Sequence, residues 1–421
     1  MQVLVVNTSQ QTGGAAIAAR RLVGVLGRHG VKVRMLVAET TQNDPLTLCA
    51  TSRWRRRLNF IWERFRIFIA NGFSRRGLWR VDIACAGTDI TQLRVFQEAD
   101  IIHLHWINQG FLSMKDLQRV LHSGKPVVWT LHDMWPFTGV CHHAGACACF
   151  HTHCADCPQL CHPSSSDLSY RLFKKKLKIY KEAPLTFVGC SRWITEQARL
   201  STLTQGHDVL SIPNTFPAAV FHPVASEYER GEARSHFGLP SKGRLLLFAC
   251  QKVTAPMKGI EILVDALSRI KQSPDLAVVV VGELAEAVAN RLSLPVHALG
   301  YVSGDSEMAR IYHAVDVFVT PSLEENLPNT IMEAMACGTP CVGFEIGGIP
   351  EMIAHQEDGY VARYRDIDDL AAGIDYVLAD QNHSRLASAA ASKALHLWGE
   401  EHVVRAYQQV YESLCPNDDN G

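Results

Sequence analysis

The sequence predicts an α/β protein built from two open parallel-sheet domains of roughly 200 residues each. Three observations predict it. Short runs rich in Val, Ile and Leu recur along the chain, as strands buried on both faces require. Helical stretches separate these runs, so successive strands are joined by crossovers and run parallel. At residue 213 the pattern breaks into three prolines within eleven positions, Pro213, Pro217 and Pro223, and afterwards resumes.

In the first half, Val3-Leu4-Val5-Val6 reads as a strand and Thr12-Gly13-Gly14-Ala15-Ala16 as a glycine loop. A helix is expected over 15–29, closed by Gly30, then a strand over 31–37. Further strands are expected at 101–105, 127–132 and 186–190. The proline-rich segment and the polar stretch 225–235 read as a linker. In the second half, strands are expected at 245–248, 277–281, 317–319 and 340–343, with helices over 259–270 and 305–313. The expected division is an N-terminal domain over 1–212 and a C-terminal domain over 225–398. A last helical segment, 399–421, fits either half; packing back on the N-terminal domain is one arrangement.

The 421 residues are 47% apolar and 20% charged, which excludes a disordered or collagen-like chain. Forty-one basic residues against 42 acidic ones give no electrostatic ground to expect nucleic acid. The chain opens without a basic segment followed by a long apolar run, and no uncharged apolar run reaches the ~18 to 20 residues of a membrane-spanning helix. The expected compartment is the cytoplasm. Thiols stay reduced there, so clustered cysteines read as metal ligands before disulfides.

Two regions carry phosphate and sugar chemistry. Gly13-Gly14 before a helix would bring backbone N–H groups to an anion, although a tight turn in any α/β unit has the same sequence. The second region runs from Pro321 to Pro340 and contains Glu325 and, eight residues on, Glu333. Asn326 is the expected N-cap of a helix, with Pro328 in its first turn and Gly338 at its end. Glu325 then stands at the carboxyl edge of the sheet, where open α/β sheets bind ligands. Acids near a helix start also favour its dipole, which accounts for Glu324 and Glu325 better than for Glu333.

These residues make the chain resemble family 4 of the retaining glycosyltransferases, which have the GT-B fold: two Rossmann-like, doubly wound parallel-sheet domains facing a cleft. The resemblance rests on Glu325 and Glu333 within PS-x-E-x6-MEA-x-ACG-x-P and on Gly347-Gly348-Ile349-Pro350-Glu351. It is extended by Leu299-Gly300-Tyr301-Val302, by residues 312–317, and by Ile212-Pro213-Asn214 with Phe221-His222-Pro223. It implies a nucleotide-sugar donor, a glycan or lipid-linked glycan acceptor, a place in bacterial polysaccharide synthesis, and catalysis without a metal cofactor. By resemblance, Glu333 binds the ribose and Glu325 lies beside the transferred sugar, with backbone N–H groups near Asn326 and Leu327. Lys258, in Lys258-Gly259, meets the diphosphate. His132 lies near the donor sugar, and Gly13-Gly14 at the cleft. The family's arginine five residues before this lysine is Val253 here, with Lys252 beside it as the candidate replacement.

Six of the 13 cysteines lie between Cys141 and Cys161. Cys141, Cys147, Cys154 and Cys157 close on a C-x-x-C knuckle and suit a tetrahedral structural zinc. Cys149, Cys161, His142, His143, His151 and His153 are alternative ligands. The set of four is chosen because a subset of bacterial polysaccharide glycosyltransferases has a similar segment. Residues 53–80 hold nine arginines and one acid, Glu63, among large aromatic residues. This segment suits peripheral contact with an anionic membrane, at the inner face of the plasma membrane. A solvated basic helix face or a site for an anionic acceptor would have the same composition. Lys174-Lys175-Lys176 with Lys178 and Lys181 reads as a solvated basic face.

Two other classes compete. One is a different GT-B enzyme, such as a sugar-nucleotide epimerase. The other is a non-enzymatic zinc-knuckle, arginine-rich module binding nucleic acid, which explains residues 53–157 but not the segment around Glu325 and Glu333.

Overall fold

The structure is a computed structural model and describes residues 1–40, 44–75, 77–271, 275–289 and 291–415. The chain divides into two compact units, one of Met1–Asn214 with the segment from Val403 onward, the other of Thr215–His402.

The first unit is built on seven strands: β1 (Gln2–Ser9), β2 (Lys32–Glu39), β3 (Thr47–Cys49), β4 (Ile101–Leu104), β5 (Val127–Leu131), β6 (Leu185–Gly189) and β7 (Val209–Ser211). They lie in the order β3-β2-β1-β4-β5-β6-β7, and every pair is parallel. The central strands β4, β5 and β6 are buried along their whole length, which is why they read as unbroken apolar runs rather than alternating ones. One face is covered partly by the helix Glu400–Leu414, which places Val403, Val404, Tyr407, Val410 and Tyr411 against Val3, Val5 and Val128.

The second unit has six strands: β8 (Arg244–Lys252), β9 (Leu276–Glu283), β10 (Val296–Gly300), β11 (Val317–Thr320), β12 (Cys341–Phe344) and β13 (Gly359–Ala362). Their order is β10-β9-β8-β11-β12-β13, again parallel throughout. The stretch expected as the end of a linker is a helix, Glu227–His236. Its apolar content is low, and it is held by charge. Ser226 caps Glu229 N–H, and Arg230 and Arg234 reach the buried Asp316 carboxylate at 3.3 and 3.0 Å. Asp316 also accepts Leu245 N–H at 2.8 Å, tying this helix to the start of β8.

In each sheet the strand order reverses once, between β1 and β4 and between β8 and β11. Loops leaving neighbouring strands diverge there and open a crevice at the carboxyl edge. In the second unit the two loops are joined by Leu323 N–H to the Met257 carbonyl at 2.8 Å. Gly259, at φ +73°, lies with its α-carbon against the Pro321 carbonyl, so any Cβ would overlap that oxygen. Replacing Gly259 with Ala is therefore expected to cost at least ~1 kcal/mol. It should lower the denaturation midpoint of the purified protein, and an unchanged midpoint would contradict this close packing.

Candidate functional site

The loops after β8 and β11 bring together Lys258 and Glu325, two of the site residues expected in the second unit. A 3-10 turn, Pro256–Lys258, brings the Lys258 ammonium onto the Glu325 carboxylate as an ion pair. Burial would lower the lysine's pKa, but Glu325 outweighs this, with smaller help from Cys250 and Glu324, and holds it above the usual lysine value. The ammonium is therefore charged at neutral pH. Gly347, at φ +56°, packs against the Glu325 carbonyl, and Gly348 N–H donates to the Asn326 carbonyl at 2.8 Å. The GG-x-PE segment thus fixes the main chain that carries Glu325.

The helix expected to begin at Asn326 begins later, as Asn329–Ala336 with Pro328 at the N-cap position and no side-chain cap. Pro328 is extended, at ψ 116°, and the bond from Gly348 holds Asn326 outside the helix. Leu327 is buried. Glu333 is buried within the helix and accepts a hydrogen bond from the Tyr312 hydroxyl at 2.9 Å. Lys252 is exposed at the end of β8, and Val253 is wholly buried in the core, unable to serve as the family's arginine does. Cys250 is close enough to Lys258 and Glu325 to interact with both charges, and burial pushes its thiol up to about 11. Nothing in its sequence context pointed to it.

At the reversal in the first unit, Gly13 caps the helix Gly14–Arg28 with no side-chain bond to its first turn. Beside it, Trp106 N–H donates to Asn7 Oδ1 at 2.9 Å, and Thr8 Oγ1 donates to the Asn108 carbonyl at 2.9 Å, knitting the β1 and β4 loops together. His132 follows β5. Its Nε2 lies 2.8 Å from His105 Nδ1, and the two rings stack with centroids 5.0 Å apart. Next to it, Asp133 accepts from Trp106 Nε1 and from His142 Nδ1, both at 2.7 Å. Burial alone would raise the Asp133 pKa, but His142 and the Trp135 N–H bring it down to about 2. His142 Nε2 meets Asp82 at 2.7 Å, and Asp82 pairs with Arg64. His142 is thus clamped between two carboxylates and is not one of the residues around the cysteines.

Cys141, Cys147, Cys154 and Cys157 line one cavity of about 10 Å³ together with Cys149. Cys161, His143, His151 and His153 do not line it. Among the described residues, no three His, Cys, Asp or Glu side chains stand close enough to hold a metal ion, so the expected zinc is not a preformed feature of this structure. Lys176, expected on a solvated face, is wholly buried.

The basic segment forms the helix Arg53–Ala70, and its amphipathicity is inverted. Glu63, Arg64 and Ile67 are buried, while Trp54, Leu58, Ile61, Trp62, Phe65 and Ile69 are exposed. Glu63 accepts N–H bonds from Ile83 at 3.0 Å and Ala84 at 2.6 Å, and Arg64 donates to the Leu78 and Val81 carbonyls. Among the described residues, no helix is long and apolar enough to cross a membrane.

Burial lowers His132 to about 4 and His103 to about 3, and it carries His105 well below the ordinary value. In the unfolded chain all three titrate near about 6.5. Below that pH the unfolded chain binds more protons than the folded one, so this stabilisation is complete above pH ~6.5 and is lost on acidification. The melting temperature should fall steadily from pH ~6.5 to ~4; a flat profile would contradict neutral burial of the three rings.

A profile of the glycosyl transferases group 1 matches residues 243–380, and one of glycosyltransferase family 4 matches residues 12–214. An uncharacterized glycosyltransferase of Methanocaldococcus jannaschii is 26% identical, over 74% of this chain and 83% of that protein. The phosphatidyl-myo-inositol mannosyltransferase of Mycolicibacterium smegmatis is 26% identical, over 75% and 71%. The chain spans about half the length of other relatives, such as 51% of the N-acetyl-alpha-D-glucosaminyl L-malate synthase of Bacillus anthracis. Anabaena HepE, solved with UDP and glucose, aligns over 98% of this chain and 100% of its own with a TM-score of 0.66 at 16% identity, a likeness of fold. With both halves matched and two parallel sheets of the GT-B kind, the chain belongs to the family 4, group 1, glycosyltransferases.

Proposed function

We propose that this enzyme transfers a sugar from a nucleoside-diphosphate sugar, with retention of anomeric configuration, to a lipid-linked glycan in bacterial polysaccharide synthesis. The observation that carries the donor reading is the Lys258–Glu325 pair at the strand-order reversal of the second unit. A nucleoside diphosphate leaving group gains negative charge as the bond from the anomeric carbon to phosphate oxygen breaks. A fixed cation stabilises that charge, and Lys258 is the charged group in place. On binding, the ammonium exchanges part of its contact with Glu325 for phosphate oxygens, which frees the carboxylate to accept sugar hydroxyls. Main-chain N–H groups near Asn326 and Leu327 hold the same sugar. Glu333 takes the ribose hydroxyls, with Tyr312 orienting its carboxylate, and Lys252 adds a second, exposed cation. The UDP bound by HepE supports a uridine diphosphate carrier as the first donor to assay.

The first unit carries candidate groups of its own for sugar recognition, the Gly13-Gly14 loop and His132. His132 is neutral at working pH, because burial depresses its pKa to about 4. It therefore offers a polar ligand a hydrogen bond without bringing a charge to it. The acceptor oxygen bonds to the anomeric carbon as the phosphate departs, and the acceptor's proton passes to the departing phosphate oxygen.

The inverted helix Arg53–Ala70 supports the lipid-linked acceptor. Its outward rings, with Trp54 76% exposed, are positioned to enter a bilayer interface, while Arg53, Arg55, Arg57 and Arg66 meet anionic headgroups. The catalytic domain then sits at the inner membrane face where such acceptors reside.

In a transfer assay with a panel of sugar nucleotides, Lys258→Ala and Glu325→Ala should each lower kcat at least ~100-fold with little change in melting temperature. Full activity in both would refute the donor assignment. Replacing Trp54, Trp62 and Phe65 with Ser, or Arg53, Arg55 and Arg57 with Glu, should abolish flotation with vesicles containing phosphatidylglycerol. Unchanged flotation in both sets would refute membrane contact.

A further inference from the structure

We infer that His105 and Asn108, in the loop that follows β4, form a binding subsite for a neutral sugar hydroxyl. The assignment rests on the reading of this chain as a sugar transferase and is independent of the Lys258–Glu325 pair.

The main chain fixes this loop. His105 N–H donates to the Val6 carbonyl at 2.9 Å, and Thr8 N–H donates to the Trp106 carbonyl at 2.7 Å. Thr8 Oγ1 donates to the Asn108 carbonyl at 2.9 Å. Residues 105–108 therefore run beside 6–8 at the carboxyl edge, where the strand order reverses between β1 and β4. Just beyond, Ser9 Oγ accepts Thr12 N–H at 3.0 Å and leads the chain into the helix Gly14–Arg28. Open α/β sheets bind their ligands at such a place.

Two polar atoms of the loop are left over. His105 and Asn108 are each 3% exposed, and among the described residues His105 Nε2 and Asn108 Nδ2 have no hydrogen-bond partner. Folded chains pair nearly all buried polar groups, because an unpaired one is costly. The neighbouring histidine shows that this fold does so. His103 lies two residues back on the same face of the strand and is wholly buried. Its Nδ1 meets the Tyr411 hydroxyl and its Nε2 meets Thr130 Oγ1, both at 2.8 Å. His105 pairs with His132 Nε2 through Nδ1 and leaves Nε2 over.

The chemistry of the two atoms selects the ligand. With the shared proton on His105 Nδ1, its Nε2 accepts; with that proton on His132, His105 Nε2 carries its own and donates. A hydroxyl answers either state, since it both donates and accepts, and Asn108 Nδ2 donates to its oxygen. A phosphate oxygen answers only a donor, and burial holds both rings neutral, so neither brings a positive charge to an anion. In a sugar transferase such hydroxyls belong to the donor's sugar or to the acceptor.

The test uses the full chain with isotopically labelled histidine nitrogens. Long-range proton–nitrogen spectra are recorded with the methyl glycosides of glucose, galactose, mannose and N-acetylglucosamine, and with inorganic phosphate. At least one glycoside should shift the His105 Nε2 resonance, and phosphate should not. Asn108→Leu, close in size, should weaken that glycoside at least ~10-fold without lowering the melting temperature, because its amide nitrogen makes no bond within the protein. In the transfer assay, His105→Asn, whose amide stands where Nδ1 stood, should raise KM at least ~10-fold. His105→Gln, whose amide stands where Nε2 stood, should recover part of that loss. A rise in the donor's KM assigns the subsite to the donor's sugar, and a rise in the acceptor's KM assigns it to the acceptor. No shift with any glycoside, or an equal shift with phosphate, would overturn the subsite. A lower melting temperature in Asn108→Leu with unchanged glycoside affinity would also overturn it, marking a structural amide. Better activity in His105→Asn than in His105→Gln would remove His105 from the subsite and leave it as a support for His132. A chain that binds the glycoside but transfers no sugar would refute the transferase reading and keep the subsite.

Discussion

Two all-parallel sheets impose the constraint on which the rest of this protein depends. Their strands are buried on both faces, so the strand interiors have no room for chemistry that must meet solvent or substrate. Charged groups are driven to the strand ends, and ligand sites in such sheets lie where neighbouring loops diverge at the carboxyl edge. Lys258 and Glu325 leave β8 and β11, the two strands at that reversal. Gly13 leaves β1, the His105–Trp106 segment leaves β4, and His132 follows the adjacent β5.

Electrostatics at these edges is arranged differently in the two units. The second unit pairs a cation with a carboxylate, which keeps Lys258 charged despite burial. The first unit strips charge away. His103, His105 and His132 are held neutral by burial, and the polar groups nearby, Asp133, His142, Asp82 and Arg64, are joined in one network.

Much of the architecture was legible because buried parallel strands leave unbroken apolar runs. The short outer strands β3, β7, β10 and β13 were not, since three to five residues carry too little periodicity. The helix Glu227–His236 was misread as linker for a related reason: it is held by Arg230 and Arg234 on Asp316, a carboxylate some eighty residues away, and not by an apolar stripe. Its Ser226 cap was the local signal available. In the glutamate segment the residues were legible and the helix start was not, because the bond from Gly348 to the Asn326 carbonyl displaces it.

By itself, the sequence determined the order of most strands and helices, the family, and the residue types of the glutamate segment, because these follow from local periodicity and short spacing. Only the tertiary structure decided which way side chains face. Composition marks residues 53–70 as basic and aromatic, but burial of Glu63 and Arg64 against the 78–84 backbone is what turns the rings outward. A run of lysines suggests a solvated face, yet packing against Trp135 takes Lys176 to the interior, beside the cysteines. Orientation depends on contacts between residues far apart in the chain, and no local pattern encodes them.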